Sequence, residues 1–304
     1  MKIKAVFLTF LIALVPALAI AQQDEDVRGA FMTTRPKATE KGNKPASTTK
    51  PSRRRPKPIV GGTTKPDVAK DGSKAKPAKL NTPRIGLGLT LFMRDSNGLA
   101  VRTDPSHQFR KGDHVRFLVE TNADGFLYVF NTTDGGQPIM IYPDPEVDEA
   151  GNYFQAHVPF EIPSSVAAEE RLRWFTFDNN DGAEKLYFVF TREPLAAVPM
   201  EDDLITYCRE NGGKCPWHPG TEVWAQIKKE MDEPVQVAHK KEVGRAQTEP
   251  ERQAATRGIG LNRDDPEPSL IMLTASTSKN MLVVVVDLIH GPMSSSGDAD
   301  EEVQ

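Results

Sequence analysis

Between residues 85 and 191 apolar and polar positions alternate in short runs, and the runs are separated by turn-forming residues. Leu87, Leu89, Leu91 and Met93 alternate with Gly88, Thr90 and Phe92 and stop at Asp95-Ser96-Asn97-Gly98. That period of two predicts a half-buried strand. After Lys111-Gly112-Asp113 the pattern resumes in His114 to Thr121, with Val115, Phe117 and Val119 on one face. Asn122-Ala123-Asp124-Gly125 leads into Phe126 to Asn131, and Asp134-Gly135-Gly136 leads into Ile139 to Tyr142. Gly125, Gly135 and Gly136 read as turn glycines, because tight connections favour residues that tolerate positive φ. Further strands are predicted at Tyr153 to Val158, Arg173 to Phe177 and Lys185 to Thr191. Short strands at this spacing, with no strong helix among them, predict a mainly β fold: an antiparallel β-sandwich or Greek-key-like body over residues 85–200.

The period then changes. Asp202 to Glu210 and Thr221 to Met231 have helical spacing, with Val223, Trp224 and Ile227 on one face of the second. Residues 240–268 are charged and contain prolines, and read as a long loop. Leu270 to Thr274 and Met281 to Ile289 are apolar and β-branched. They read as a closing hairpin whose second strand is buried on both faces. Residues 201–292 thus form a two-helix plus hairpin extension packed on the body, and 293–304 an acidic tail.

The first residues bring in the compartment. Lys2 and Lys4 precede an apolar run from Ala5 to Leu18, and Ala19-Ile20-Ala21 supplies the small residues of a cleavage site. This predicts a Sec-type signal peptide over residues 1–21, a mature chain starting at Gln22, and a periplasmic or secreted protein. The apolar run is short for a span and Pro16 interrupts it, which disfavours a membrane anchor. No cysteine lies near the cleavage site to take a lipid, and no later apolar run is long enough to cross a bilayer.

Charge divides the chain. The net charge is −4, but residues 35–84 hold 15 Lys or Arg against three acids, so the remainder carries −16. Arg53, Arg54, Arg55 and Lys57 form the most basic point, set among prolines. Residues 22–84 therefore read as a disordered, basic, Pro- and Lys-rich arm that buries too little apolar area to offset its ordering entropy. Its basic stretch, residues 35–84, would reach about 40 Å as a free coil and about 150 Å as polyproline. Val27 to Thr34 is a small apolar island ahead of it, to which no structure is assigned.

The run Gly-Leu-Gly-Leu-Thr-Leu-Phe-Met-Arg-Asp from Gly86, then Phe109-Arg-Lys-Gly-Asp-His-Val-Arg-Phe, resembles a family of bacterial envelope domains, domain of unknown function 4384. The resemblance continues through Asn122-Ala-Asp-Gly-Phe-Leu-Tyr-Val-Phe-Asn and Ile139-Met-Ile-Tyr-Pro to Glu184-Lys-Leu-Tyr-Phe-Val-Phe-Thr-Arg-Glu-Pro-Leu. It covers residues 85–198. It implies a small β-rich domain of exported proteins and carries no catalytic residues over to this chain.

Candidate chemistry is sparse. Cys208 and Cys215 are the two cysteines; in an oxidising compartment they are expected to pair across Gly212-Gly213. The competing reading is a metal site, since His218 completes Cys-x6-Cys-x2-His, although a fourth ligand is lacking and the spacing is not a zinc pattern. Asp144, Glu146, Asp148 and Asn152 have the alternation of a calcium loop, but the glycine is misplaced and Pro145 stiffens the segment, so a solvated turn is preferred. No nucleophile-elbow, phosphate-loop, metalloprotease or CxxC motif is present. His157 and His290 fall within strand patterns and read as packed or hydrogen-bonded. No catalytic residue, metal or cofactor is assigned.

The function class expected is an exported, non-enzymatic binding or scaffold module of the bacterial envelope. Its body would dock a partner, and its arm would contact an anionic surface through Arg53, Arg54, Arg55 and Lys57. Export makes nucleic acid an unexpected partner. The alternatives are a hydrolytic, carbohydrate-active enzyme working through paired carboxylates in a cleft, and a structural envelope protein.

Overall fold

A computed structural model describes residues 22–38, 84–148, 151–178, 182–212, 215 and 217–291. Residues 1–21, read as a signal peptide, the basic segment 39–83 with Arg53, Arg54, Arg55 and Lys57, and the acidic tail lie outside the described residues. The chain is mainly β and builds two facing sheets.

In the first sheet the order is β11 (Val235–His239), β12 (Leu270–Thr274), β1 (Gly86–Arg94), β4 (His114–Thr121) and β8 (Phe160–Ile162). Two short strands extend it, β2 (Ala100–Thr103) on β1 and β9 (Phe175–Thr176) on β4. The second sheet runs β3 (Gln108–Phe109), β13 (Met281–His290), β10 (Gly182–Thr191), β5 (Gly125–Thr133) and β6 (Ile139–Tyr142), with β7 (Tyr153–Phe154) on β5. All pairings are antiparallel except β3 with β13. The predicted alternation supplies the filling. Leu87, Leu89 and Leu91 of β1 and Val115, Phe117 and Val119 of β4 meet Leu127 and Val129 of β5, Leu186, Phe188 and Phe190 of β10, and the inward positions of β13. Phe117 and Phe188 close the gap edge-to-face, with ring centroids 5.0 Å apart.

The two apolar runs at the C-terminus do not form a hairpin. Leu270–Thr274 pairs with β1 and β11, whereas Met281–His290 pairs with β10 and β3 in the other sheet. The connection crosses the sandwich rather than turning within one sheet. The supposed extension therefore supplies strands between others of both sheets and is not an appendage to a finished body.

Both sheets are also covered on their outer faces. Helices α3 (Glu201–Glu210) and α4 (Thr221–Met231) pack Leu204, Cys208, Val223 and Ile227 on the outward residues Tyr128, Phe130, Tyr187 and Val189 of the second sheet. Trp224 sits between Phe130 and Tyr187, with centroids at 5.9 and 4.9 Å.

On the first sheet the cover is unexpected. Residues 22–32 form helix α1, with Val27 and Phe31 one turn apart and buried against Ala238, Ile271 and Leu273. Residues 22–38, assigned from composition to the arm, are docked on the body. The apolar island is the reason: two large side chains at i and i+4 suffice to hold one face of a three-turn helix. In consequence β1 is buried on both faces over Gly86–Phe92 rather than half-buried. The segment read as a long loop also holds a helix, α5 (Glu249–Arg257). It starts with a Thr248/Glu251 capping box and ends at Gly258 in the left-handed conformation, φ 63°.

The turn glycines divide by cause. Gly135, with φ 73°, follows Asp134 at φ 50° in a tight turn closed by the Gly136 N–H to the Thr133 carbonyl at 2.9 Å. Gly125 does not have positive φ. A Cβ there would lie 2.7 Å from the Phe190 ring and against the Thr191 carbonyl, so close strand approach, not turn geometry, demands the glycine. Among the described residues no helix is long and apolar enough to cross a membrane.

Candidate functional site

The inward stripes of three neighbouring strands end in polar residues at the same end of the sandwich. On β5 the series Leu127, Val129 is followed by Asn131; on β10 Phe188, Leu186 is followed by Glu184; on β13 Val286, Leu288 is followed by His290. The register brings them together, since Asn131 pairs with Leu186 and Glu184 pairs with Leu288. The core opens there into a cavity of about 240 Å³. Its walls are Val115, Ile141, Phe175, Phe177, Leu186 and Leu288, and Asn131, Glu184 and His290 line it with Thr176 and Asp178.

Glu184 organises the polar side. Its carboxylate accepts from Asn131 Nδ2 at 2.8 Å and from the Thr133 hydroxyl at 2.9 Å. His290, 5% exposed, places Nε2 3.8 Å from the same carboxylate, beyond hydrogen-bond distance, and its ring lies 5.0 Å from that of Phe177. Because Asn131 donates to Glu184, its carbonyl Oδ1 is turned elsewhere, and that atom is buried without a hydrogen-bond partner. A buried acceptor left unpaired costs about 1–3 kcal/mol.

A second cavity of about 110 Å³ shares Ile141 and Phe175 as a common wall. Asp144 and Glu161 both border it, but they do not make a carboxylate pair. Phe160 and Ile162 face the core, so Glu161 between them points outward, where Oε1 accepts from Gln247 Nε2 at 2.7 Å and lies 3.6 Å from Arg116. Burial pushes the Asp144 carboxyl above its ordinary value.

The remaining candidates fall into place individually. Cys208 and Cys215 form a disulfide with Cα atoms 4.8 Å apart, which ties α3 to the segment ahead of α4. His218 takes no part; its Nδ1 donates to the Pro138 carbonyl at 2.8 Å. The acids of the calcium-like loop diverge. Asp144 caps the short helix α2 (Pro145–Asp148) through the Glu146 N–H at 2.9 Å, Glu146 turns to Arg171, and Asn152 is buried. The segment is thus a half-buried helix start rather than a solvated turn. His157 is buried in an ionic cluster, with Nδ1 2.8 Å from Glu120 Oε1 and Nε2 2.9 Å from the Thr34 hydroxyl. Asn131 and Glu184 were not singled out from the sequence. The signal for them was present in the three polar residues ending three apolar stripes, but which strands are neighbours is not readable from periodicity.

These features define a covered β-sandwich with a ligand-sized opening between the ends of its sheets. Residues 108–194 match the family described as Domain of unknown function (DUF4384). The match spans β3 to β10 and so includes Asn131 and Glu184, while β1, β12 and β13, and with β13 His290, lie outside it. No curated protein and no solved structure matches the chain.

Proposed function

We propose that the mature chain is an exported, non-enzymatic binding module of the bacterial envelope, whose sandwich takes a ligand or partner side chain at its open end. The observation that carries this reading is the cavity: apolar walls with a few convergent polar groups are the usual make-up of a binding site. The N-terminal signal sequence and the disulfide support export, and the mature mass is expected to begin at Gln22.

The basic segment has a place in the same reading. Arg35 is bonded to Glu120, and the Arg84 carbonyl accepts from Asn122 Nδ2 at 2.9 Å, two positions further along the same strand end. Residues 39–83 are thus flanked by residues held at one strand end of the first sheet. They carry 12 Lys or Arg against three acids, a net +9. With Arg53, Arg54, Arg55 and Lys57 as its most basic point, this segment is the part of the chain suited to contact an anionic surface.

A second reading, hydrolysis through paired carboxylates, is favoured by Asp178 and Glu184 lining one cavity. Against it, Asn131 and Thr133 already hold the Glu184 carboxylate.

The test places a photo-cross-linking side chain at Thr176, exposed at the cavity rim, in the mature chain irradiated with envelope extract. A discrete adduct that disappears when Leu288→Trp fills the cavity is expected. Adducts unchanged by Leu288→Trp would place the partner elsewhere.

A further inference from the structure

Resting on the reading of the end cavity as a binding site, the geometry points to a compact cationic occupant: a small apolar or aromatic body carrying an ammonium group. Three observations specify it. The acidic side chains that line the cavity, Glu184 and Asp178, are acceptors, and Asn131, Thr176 and His290 are its other polar lining residues. A ligand that meets the carboxylates must donate, and a cationic donor makes the stronger bond to a carboxylate. The opposite wall is hydrocarbon and aromatic, with Phe175, Phe177 and Leu288, which suits an apolar body and accommodates a cation near ring faces. The volume, about 240 Å³, lies just under the roughly 300 Å³ at which ligand pockets begin, and restricts the occupant to about one ring or a short alkyl chain. An anion would meet the Glu184 and Asp178 carboxylates with no Lys or Arg among the cavity-lining side chains.

The positions are specific. Asn131, Glu184 and His290 end the inward stripes of three paired strands, and a charged carboxylate at the end of an apolar stripe gains nothing for the core. Asn131 Nδ2 and the Thr133 hydroxyl donate to the Glu184 carboxylate, so it is held in place before a ligand arrives. The ammonium donates to the Glu184 carboxylate.

The test is a titration of the mature chain at pH 7, followed by backbone amide NMR, with benzylamine, benzyl alcohol, toluene and benzoate. Benzylamine should perturb Asn131, Glu184 and Leu288 saturably and bind at least tenfold more tightly than benzyl alcohol, with benzoate not binding. Glu184→Gln should lower benzylamine affinity about tenfold or more while leaving that for toluene unchanged, and Leu288→Trp should abolish binding of benzylamine, benzyl alcohol and toluene. The wild-type comparison of amine with alcohol stands even if the Gln variant folds poorly. Equal binding of benzylamine, benzyl alcohol and toluene would overturn the cationic specificity and leave the cavity as a binding site. Absence of saturable binding by any of the four would overturn the cavity reading itself.

Discussion

Arg35 and Glu120, 85 residues apart in sequence, form a two-pronged ion pair in which neither side chain is more than 3% exposed. Nε donates to Oε1 at 2.8 Å and Nη2 to Oε2 at 2.6 Å. The other guanidinium protons go to the carbonyls of Asn262, Asp265 and Pro266 at 3.0–3.1 Å. Each donor is matched, which is the condition under which a buried charge is tolerated. The pair pins the end of the N-terminal segment to the first sheet.

Arg35→Ala leaves the Glu120 carboxylate buried without its cation, and is expected to cost about 3–5 kcal/mol. Limited trypsin digestion separates this from a general loss of stability. Cutting within residues 39–83 of the wild type should leave a fragment starting at Gln22 that co-elutes with the body on gel filtration. In Arg35→Ala the fragment should elute separately. Co-elution in the variant would show that Val27 and Phe31 alone hold the segment.

The same cluster sets an acid limit. Burial pushes the Glu120 carboxyl up, but hydrogen bonds from His157 and Arg35 outweigh it and hold it below its usual 4.5. A carboxyl lowered in the folded state adds stability above its unfolded value and loses it as pH falls through the folded value. The melting temperature should therefore fall as pH drops below about 4.5. Glu120→Gln should melt lower than wild type at pH 7, with the difference narrowing towards pH 3. A constant difference across that range would assign the effect to packing.

Gly88 lets the cover approach β1. A Cβ there would lie 2.5 Å from Pro268 Cγ and 3.2 Å from the Phe31 ring. Gly88→Ala is expected to destabilise by about 1–3 kcal/mol, the usual cost of overpacking. A combined Gly88→Ala and Phe31→Ala variant should lose less than the sum of the single variants, measured by urea unfolding, because the second change makes room for the first only in part.

Replacing Cys208 and Cys215 together by serine removes a short closed loop, which loop entropy values at about 2 kcal/mol. For a domain of this size that corresponds to a melting shift of about 4–8 °C. Wild type in reducing buffer should show the same shift. If reduction has no effect, α3 is held by its packing on Tyr128 and Val189 alone.

The sequence carried most of the local structure for a direct reason: periods of two and 3.6 are written in the residues themselves. Val115, Phe117 and Val119 face the core as their spacing requires, and Val223 and Ile227 form the buried face of α4. The capping box Thr248 to Glu251 was also legible, and attention to it would have revealed α5. Misreadings arose where composition stood in for contacts. The basic run beyond Ala38 drew residues 22–38 into the arm, although Val27 and Phe31 needed only a flat surface beside Gly86 and Gly88.

By itself, then, the sequence determined the mainly β class and the core-facing positions of the long strands it marked, and it made a disulfide the expected state of the two cysteines. It also determined where charge concentrates. These follow from properties of a residue and its near neighbours. Only the tertiary structure decided that the last two strands join different sheets, that Arg35 meets Glu120, and that Asn131, Glu184 and His290 share one cavity. Those facts depend on strand order and register, which are settled by the packing of the whole chain and leave no local period in any one strand.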